Sequence, residues 1–172
     1  MMEIFDSYFS YLRLNTDCQQ LAYVLKPEEK DAPVELKKAL EKGNRVQDLL
    51  TESFEKGKSG NYILRKALNL GFKEGLRPQI YTHPLGLFGH SAGTTIGMWD
   101  SQQGVKGSGE HLLDYKTAYA IELNTKVYIK SWKKDIRIML EEAGYYDQKG
   151  FRYINGRQKK LILIGEKTVN IQ

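Results

Sequence analysis

Cysteine, histidine and proline are all scarce in this chain, which holds 1, 3 and 4 of them in 172 residues. The single thiol, Cys18, excludes an internal disulfide framework and suits a reducing compartment. Long apolar runs are missing too. None approaches the roughly 20 residues of a membrane-spanning helix, so no membrane partner is expected. The opening "MMEIFDSYFSYLRLN" lacks a basic start followed by an apolar stretch, so no secretory leader is expected and the cytoplasm is the default location. Charge of one sign is weak: 26 Lys and Arg against 21 Asp and Glu leave +5. The basic residues are scattered along segments such as "VELKKALEKGNR" rather than gathered with aromatics. They read as solvated faces and argue against a nucleic-acid partner. With 41% hydrophobic and 27% charged residues, and no internal repeat, the composition is that of one globular domain, residues 1–172.

What is present is patterned. "IFDSYFSYLRLN" is aromatic and partly alternating, and "QQLAYVL" is a second β-prone run. After the polar segment "KPEEKDAP", apolar residues recur at helical spacing from Pro33 to about Glu55. "NYILRKALNLGFKEG" predicts a second amphipathic helix ending near Gly75. "TAYAIELNTKVYI" and "KDIRIMLEEAGYY" read as long strands forming a hairpin that turns near Lys130 to Lys133, with "GFRYING" and "KKLILIG" closing the chain. Strands, two helices, then strands predict an α+β fold with an antiparallel sheet and helices on one face.

Acids inside apolar strands carry the chemical information. Glu122 lies in "AYAIELN", and Glu141 and Glu142 follow "IRIML". An ionised carboxylate in such a strand costs several kcal/mol unless it is paired or bound to a cation. Simpler readings stay open: Glu122 facing solvent or paired with Arg137, Glu141 or Glu142 at the exposed end of a strand, Asp17 in a local turn. Asp6 and Asp17 stand eleven positions apart. In a hairpin turning near Tyr11 and Leu12 they become cross-strand neighbours, and like charges facing each other repel. A divalent cation turns that repulsion into binding. Between these acids lies "HPLGLFGHSAGTTIGMWD", residues 83–100, with His83 and His90 in a glycine-rich run. Glycine lets a backbone approach a ligand closely, and imidazole is the commonest metal-binding side chain. Two solvated loop histidines are the plainer alternative. Four carboxylates and one imidazole suit two metal ions sharing bridging carboxylates.

The order of Asp, ten residues, Asp, a glycine-flanked His, Glu in "IEL" and Glu after "IRI" resembles the pita-bread metallopeptidases, which include methionine aminopeptidase, aminopeptidase P and prolidase. "GHSAG" and the long loop after it place the resemblance nearest aminopeptidase P and prolidase. It implies a pita-bread (creatinase/aminopeptidase) fold and a dinuclear exopeptidase acting on N-terminal or Xaa-Pro bonds of a peptide substrate through a metal-bridging water. Asp6 would bind one metal, Asp17 and Glu141 would bridge, and His90 and Glu122 would complete the other site. Glu142 is the alternative to Glu141, because "IRIMLEE" carries two extra residues before the acid. Glu122 would handle the proton of the attacking water, and His83 would sit at the pocket mouth against substrate. Hard oxygen ligands with one imidazole fit manganese, iron, cobalt or zinc.

The departures from the family pattern carry their own expectations. A second catalytic histidine is expected about nine positions after the ligand histidine, where this chain has Trp99 and then Asp100. Arg13 occupies a turn where glycine is expected. Asp6 stands almost at the first residue, so the fold is expected to be incomplete at its N-terminus. That implies an uncovered sheet edge and association with a missing segment or a second copy. The alternative function is a catalytically impaired pita-bread module that binds peptide or protein.

Overall fold

The structure, a computed structural model, describes residues 2–4, 8–9, 14–15, 17–86 and 89–165. Asp6 and Arg13 lie outside the described residues. The N-terminal strands are β1 (Met2–Ile4), β2 (Tyr8–Phe9), β3 (Leu14–Asn15) and β4 (Gln20–Val24). Two helices follow, α1 (Val34–Thr51) and α2 (Gly60–Lys73). Then come β5 (Pro78–Ile80), β6 (His83–Pro84), β7 (Thr117–Ile129), β8 (Lys134–Asp147), β9 (Gly150–Tyr153) and β10 (Ile162–Ile164).

Helix α1 starts just after Pro33, whose ring presets φ at −53°. Leu36, Ala39, Leu40, Gly43, Val46, Leu49 and Leu50 form its buried stripe at three- and four-residue spacing. The helix stops at Thr51, short of Glu55, because hydroxyls fold back onto it: Thr51 Oγ1 donates to the Gln47 carbonyl at 2.9 Å and Ser53 Oγ to the Leu49 carbonyl at 2.7 Å. Helix α2 is capped by Ser59, whose side chain accepts from Tyr62 N at 3.2 Å. It ends where Gly75 takes φ +71° and Leu76 N donates back to the Gly71 carbonyl at 2.9 Å.

The backbone of the molecule is the β7–β8 hairpin. Its register runs unbroken from Thr117↔Tyr146 to Ile129↔Lys134, with the turn at Lys130–Lys133 as the sequence predicts. Strands β5 and β6 pair with the other side of β7, and β9 with the other side of β8, all antiparallel. Strict alternation gives the sheet two chemically different faces. Ile121, Leu123, Val127, Ile138 and Leu140 are buried in the two apolar clusters that also contain the α1 and α2 stripes. Gly43 lets α1 lie close: a Cβ there would stand 2.6 Å from Ile138 Cγ2. The opposite face carries Glu122, Asn124 and Lys126 on β7 against Glu141, Met139 and Arg137 on β8.

A second, smaller sheet has the order β1-β4-β10. One pair departs from the otherwise antiparallel pairing: β10 runs parallel to β4, with Ile162↔Ala22 to Ile164↔Val24. The chain reaches β10 by a connection that returns from β9, which brings it alongside β4 in the same direction. Two devices tie this sheet to the hairpin. Gln19 bridges Glu141 through backbone bonds of 2.8 and 3.3 Å. The Gln158 side chain mimics a strand, accepting from Leu21 N and donating to the Leu21 carbonyl, both at 2.7 Å, while its own N–H donates to Glu142 Oε1 at 2.7 Å.

Candidate metal centre

Three chain segments converge on the polar face. Glu122 and Glu141 are directly opposed across the β7–β8 ladder. His83 arrives because β6 pairs His83 with Ala120, two residues along β7 from Glu122. The Gln19–Glu141 bridge brings Asp17 in from the second sheet. His83 Nε2 lies 3.3 Å from Asp17 Oδ2 and 3.7 Å from Glu122 Oε2. Ligand atoms of Asp17, His83 and His90 fall within 4.8 Å of one another, and so do those of His83, Glu122 and Glu141. Asp17, His83 and Glu141 are buried, Glu122 is half-buried and His90 is exposed.

The protonation of His83 decides what this cluster can do. Its Nδ1 lies 3.1 Å from the Pro84 carbonyl, which can only accept, so Nδ1 carries the hydrogen. Burial lowers the His83 pKa below its ordinary value, and the neighbouring His90 acts in the same direction; the Pro84 bond and the Asp17 charge oppose them. A neutral ring protonated at Nδ1 presents a lone pair at Nε2. That lone pair faces two carboxylate oxygens, a contact that repels. Among the described residues, neither His83 Nε2 nor Asp17 Oδ2 has a hydrogen-bond partner, and both atoms are buried. Buried acceptors converging without a donor fit a cation, and neutral imidazole with hard oxygens suits a divalent transition metal. The donor set therefore fits the group that the sequence pattern implies.

The structure sorts the expected residues. Asp17, Glu122 and Glu141 come together. Both imidazoles reach the cluster: His83 is the buried ring against the acids, and the exposed His90 stacks on it, centroids 3.9 Å apart and planes at 9°, with a ring nitrogen in the same group as Asp17 and His83. The reason is long-range, since β6 pairing holds residue 83 to the sheet while Ser91 N bonds the Pro84 carbonyl at 2.9 Å and folds the loop back over it. Glu142 points away from the cluster, because adjacent strand residues face opposite sides. It accepts from Gln158 N, and burial raises its pKa. Arg137 sits four residues from Glu141 on the same face and forms no ion pair with Glu122 among the described residues.

A cavity of about 760 Å³ opens over this face; His83, His90 and Glu122 line it, and so does Arg137, whose rung opposite Lys126 lies along the ladder from the Glu122–Glu141 rung. Trp99 stands in its wall, 69% exposed. Its loop is held firmly. Gln102 accepts from Ile80 N at 2.9 Å and donates to the Ile80 and Met98 carbonyls at 2.7 Å each, while Gln79 donates to the Trp99 carbonyl. Gly97 is required there: its φ is +76°, and a Cβ would stand 2.9 Å from Leu64 Cδ1. Gln79, Asn124 and Met139 form the cavity floor. The sequence signal for Asn124 and Met139 was the two-residue period running from Glu122 and Glu141 along their strands.

Among the described residues no helix is long and apolar enough to cross a membrane. No family model and no curated protein matches the chain in sequence. In three dimensions it is similar to an X-Pro aminopeptidase from Thermotoga maritima MSB8, at TM-score 0.62 and 14% identity over 88% of this chain and 38% of the other. It is similar to a prolidase from Thermococcus sibiricus at TM-score 0.60 and 18% identity, over 92% of this chain and 39% of that one. It is also similar to the N-terminal domain of the FACT complex subunit SPT16 from Eremothecium gossypii, at TM-score 0.64 and 9% identity, over 90% and 34%. The chain thus spans less than two fifths of the length of each. With two helices on one face of a mostly antiparallel sheet, it has the fold of part of a pita-bread domain.

Proposed function

We propose that this chain carries a metallopeptidase-type centre that hydrolyses peptide bonds at an N-terminus or beside proline. The observation that carries this reading is the convergence of His83 Nε2 on Asp17 Oδ2 at 3.3 Å and Glu122 Oε2 at 3.7 Å, beside the opposed Glu122–Glu141 pair. In this reading Asp17, His83, Glu122 and Glu141 hold two divalent cations, manganese, cobalt, iron or zinc. His90 covers the inner ring, and Asp6 joins them on its sequence spacing. Such cations supply a nucleophilic water at neutral pH and polarise the peptide carbonyl. Glu122, the half-buried acid at the cavity end, takes up the proton released on attack and delivers it to the leaving amine.

The test is metal content of the purified chain and of Glu122→Ala, followed by hydrolysis of an Xaa-Pro dipeptide and a short N-terminal methionine peptide with added manganese or cobalt. Metal retained by the wild type, lost in the variant and required for cleavage supports the proposal. No turnover with either peptide under saturating metal refutes it.

A second reading is a module that binds a peptide or protein without cutting it. The exposed Trp99 favours it, since an indole moves no proton but stacks well on a ligand. The likeness to a domain of a FACT complex subunit is in keeping with it. Metal bound without turnover is the outcome that selects this reading.

A further inference from the structure

The metal centre takes Asp17 from beside the smaller sheet and Glu141 from the larger one, and a single glutamine spans the two. Asp17 stands just before β4, outside any strand, while Glu141 lies within β8. Strand β10 supports one edge of β4 only from Ala22 onward, where Ala22 pairs with Ile162 and Leu25 N donates to the Ile164 carbonyl at 2.7 Å. Leu21 shares the parity of Leu25, so its N–H and C=O point to that same edge, where β10 has not begun. The Gln158 side chain fills the gap. Its Oε1 accepts from Leu21 N and its Nε2 donates to the Leu21 carbonyl, both at 2.7 Å. The second Nε2 hydrogen goes to the Lys160 carbonyl at 2.9 Å, so the amide has no donor to spare and its orientation is fixed by its partners. The backbone N–H of the same residue donates to Glu142 Oε1 at 2.7 Å, on the neighbour of Glu141. Gln158, Leu21 and Glu142 are all buried.

We infer that Gln158 is a positioning residue of the metal centre: by locking Leu21 of β4 to Glu142 of β8, it holds Asp17 against His83 while β8 holds Glu141. The inference rests on the metal-binding part of the proposed function and needs no turnover. Asp17 Oδ2 and His83 Nε2, 3.3 Å apart, are two acceptors that repel until a cation joins them, so the segment that carries Asp17 has to be held from elsewhere. The Gln19–Glu141 bridge holds it with one bond of 2.8 Å and one of 3.3 Å, the second beyond the usual range for N–H···O. Strand β1 pairs with the other edge of β4 from Gln20 onward. Gln158 adds the side-chain tie nearest to Asp17 on the β10 edge. Asparagine is a methylene too short for it, and ionised glutamate lacks both donors. The coupling is reciprocal: a cation bound by Asp17 also tightens the hold of Gln158 on Leu21.

The experiment titrates cobalt(II) into the full chain and follows its visible absorption, which reports affinity and ligand geometry together. Gln158→Met keeps the length of the side chain and removes its bonds to Leu21 and Lys160. Its cobalt affinity falls about 10–100-fold, the usual cost of losing a group that orients a ligand, and its bands at saturation differ from those of the wild type. Leu68→Ala, in the core on the apolar side of the sheet, lowers stability and leaves affinity and bands unchanged. Unchanged affinity or unchanged bands in Gln158→Met overturns the inference, and so does an equal loss in Leu68→Ala. Hydrogen exchange of the wild type decides the matter if Gln158→Met does not fold. Cobalt slows exchange of the Leu21 amide by a larger factor than exchange of the α2 amides; equal slowing overturns the inference. A wild type that binds no cobalt at millimolar concentration overturns this inference and the metal-centre reading together. Affinity lost in Gln158→Met, with no wild-type turnover of either test peptide, keeps this inference and refutes the peptidase reading. Wild-type turnover with affinity intact in Gln158→Met does the reverse.

Discussion

Replacing Asp17 with asparagine separates a metal centre from a structural ion pair. Asp17 Oδ2 and His83 Nε2 lie 3.3 Å apart, both buried and both without a hydrogen-bond partner among the described residues. In Asp17→Asn, an amide N–H replaces that oxygen and donates to the Nε2 lone pair. One net hydrogen bond contributes about 1 kcal/mol, and satisfying a buried acceptor adds about another 1 kcal/mol. In chelator the variant is therefore more stable than the wild type by about 1–2 kcal/mol, or about 2–8 °C in Tm for a chain of this size. Manganese reverses the order. At about 100 times its Kd a cation that binds only the folded state adds about 2.7 kcal/mol, or about 5–11 °C, to the wild type and nothing to the variant. Thermal unfolding followed by circular dichroism, with chelator and with manganese, reads both effects. A variant less stable than wild type in chelator means that Asp17 pairs with a protonated His83, and the reasoning fails. Equal manganese shifts in both proteins refute it as well.

Three further outcomes follow from named contacts. Burial holds the Glu142 pKa above its ordinary 4.5. The folded state thus binds this proton more tightly, and the resulting stabilisation is complete below pH 4.5 and lost as pH rises through the folded value. Glu142→Gln, which keeps an acceptor for Gln158, is accordingly more stable than wild type at pH 7 and indistinguishable near pH 4, as read by urea unfolding at both. Gly144→Ala places a methyl inside the Phe151 ring and destabilises the β8–β9 pairing by about 1–3 kcal/mol, measured by the same method. Gln102→Ala releases the Trp99 loop from Ile80 and Met98 and raises KM for cleaved peptides more than it lowers kcat.

Much of the fold was legible because it is local. The α1 and α2 stripes and the β7–β8 hairpin follow from periods of 3.6 and 2, and a turn at residues 130–133 places Glu122 opposite Glu141 by counting. The same alternation separates Glu141 from Glu142. What was not legible depends on long-range pairing. Which imidazole faces inward is decided by β6 docking on Ala120, and the parallel β4–β10 pair is decided by where a long connection returns. Arg137 invited pairing with Glu122, yet the register sets it opposite Lys126, further along the ladder. Gln158 and Gln102 act as surrogate strands through side-chain amides, a use of glutamine that leaves no periodic trace.

Manganese binding by the wild type and by His83→Ala, titrated calorimetrically in the same buffer, tests the central claim most directly. The account predicts about two Mn²⁺ per wild-type chain and loss of high-affinity binding in the variant. No binding at millimolar manganese, or binding undisturbed by the loss of the His83 ring, contradicts it.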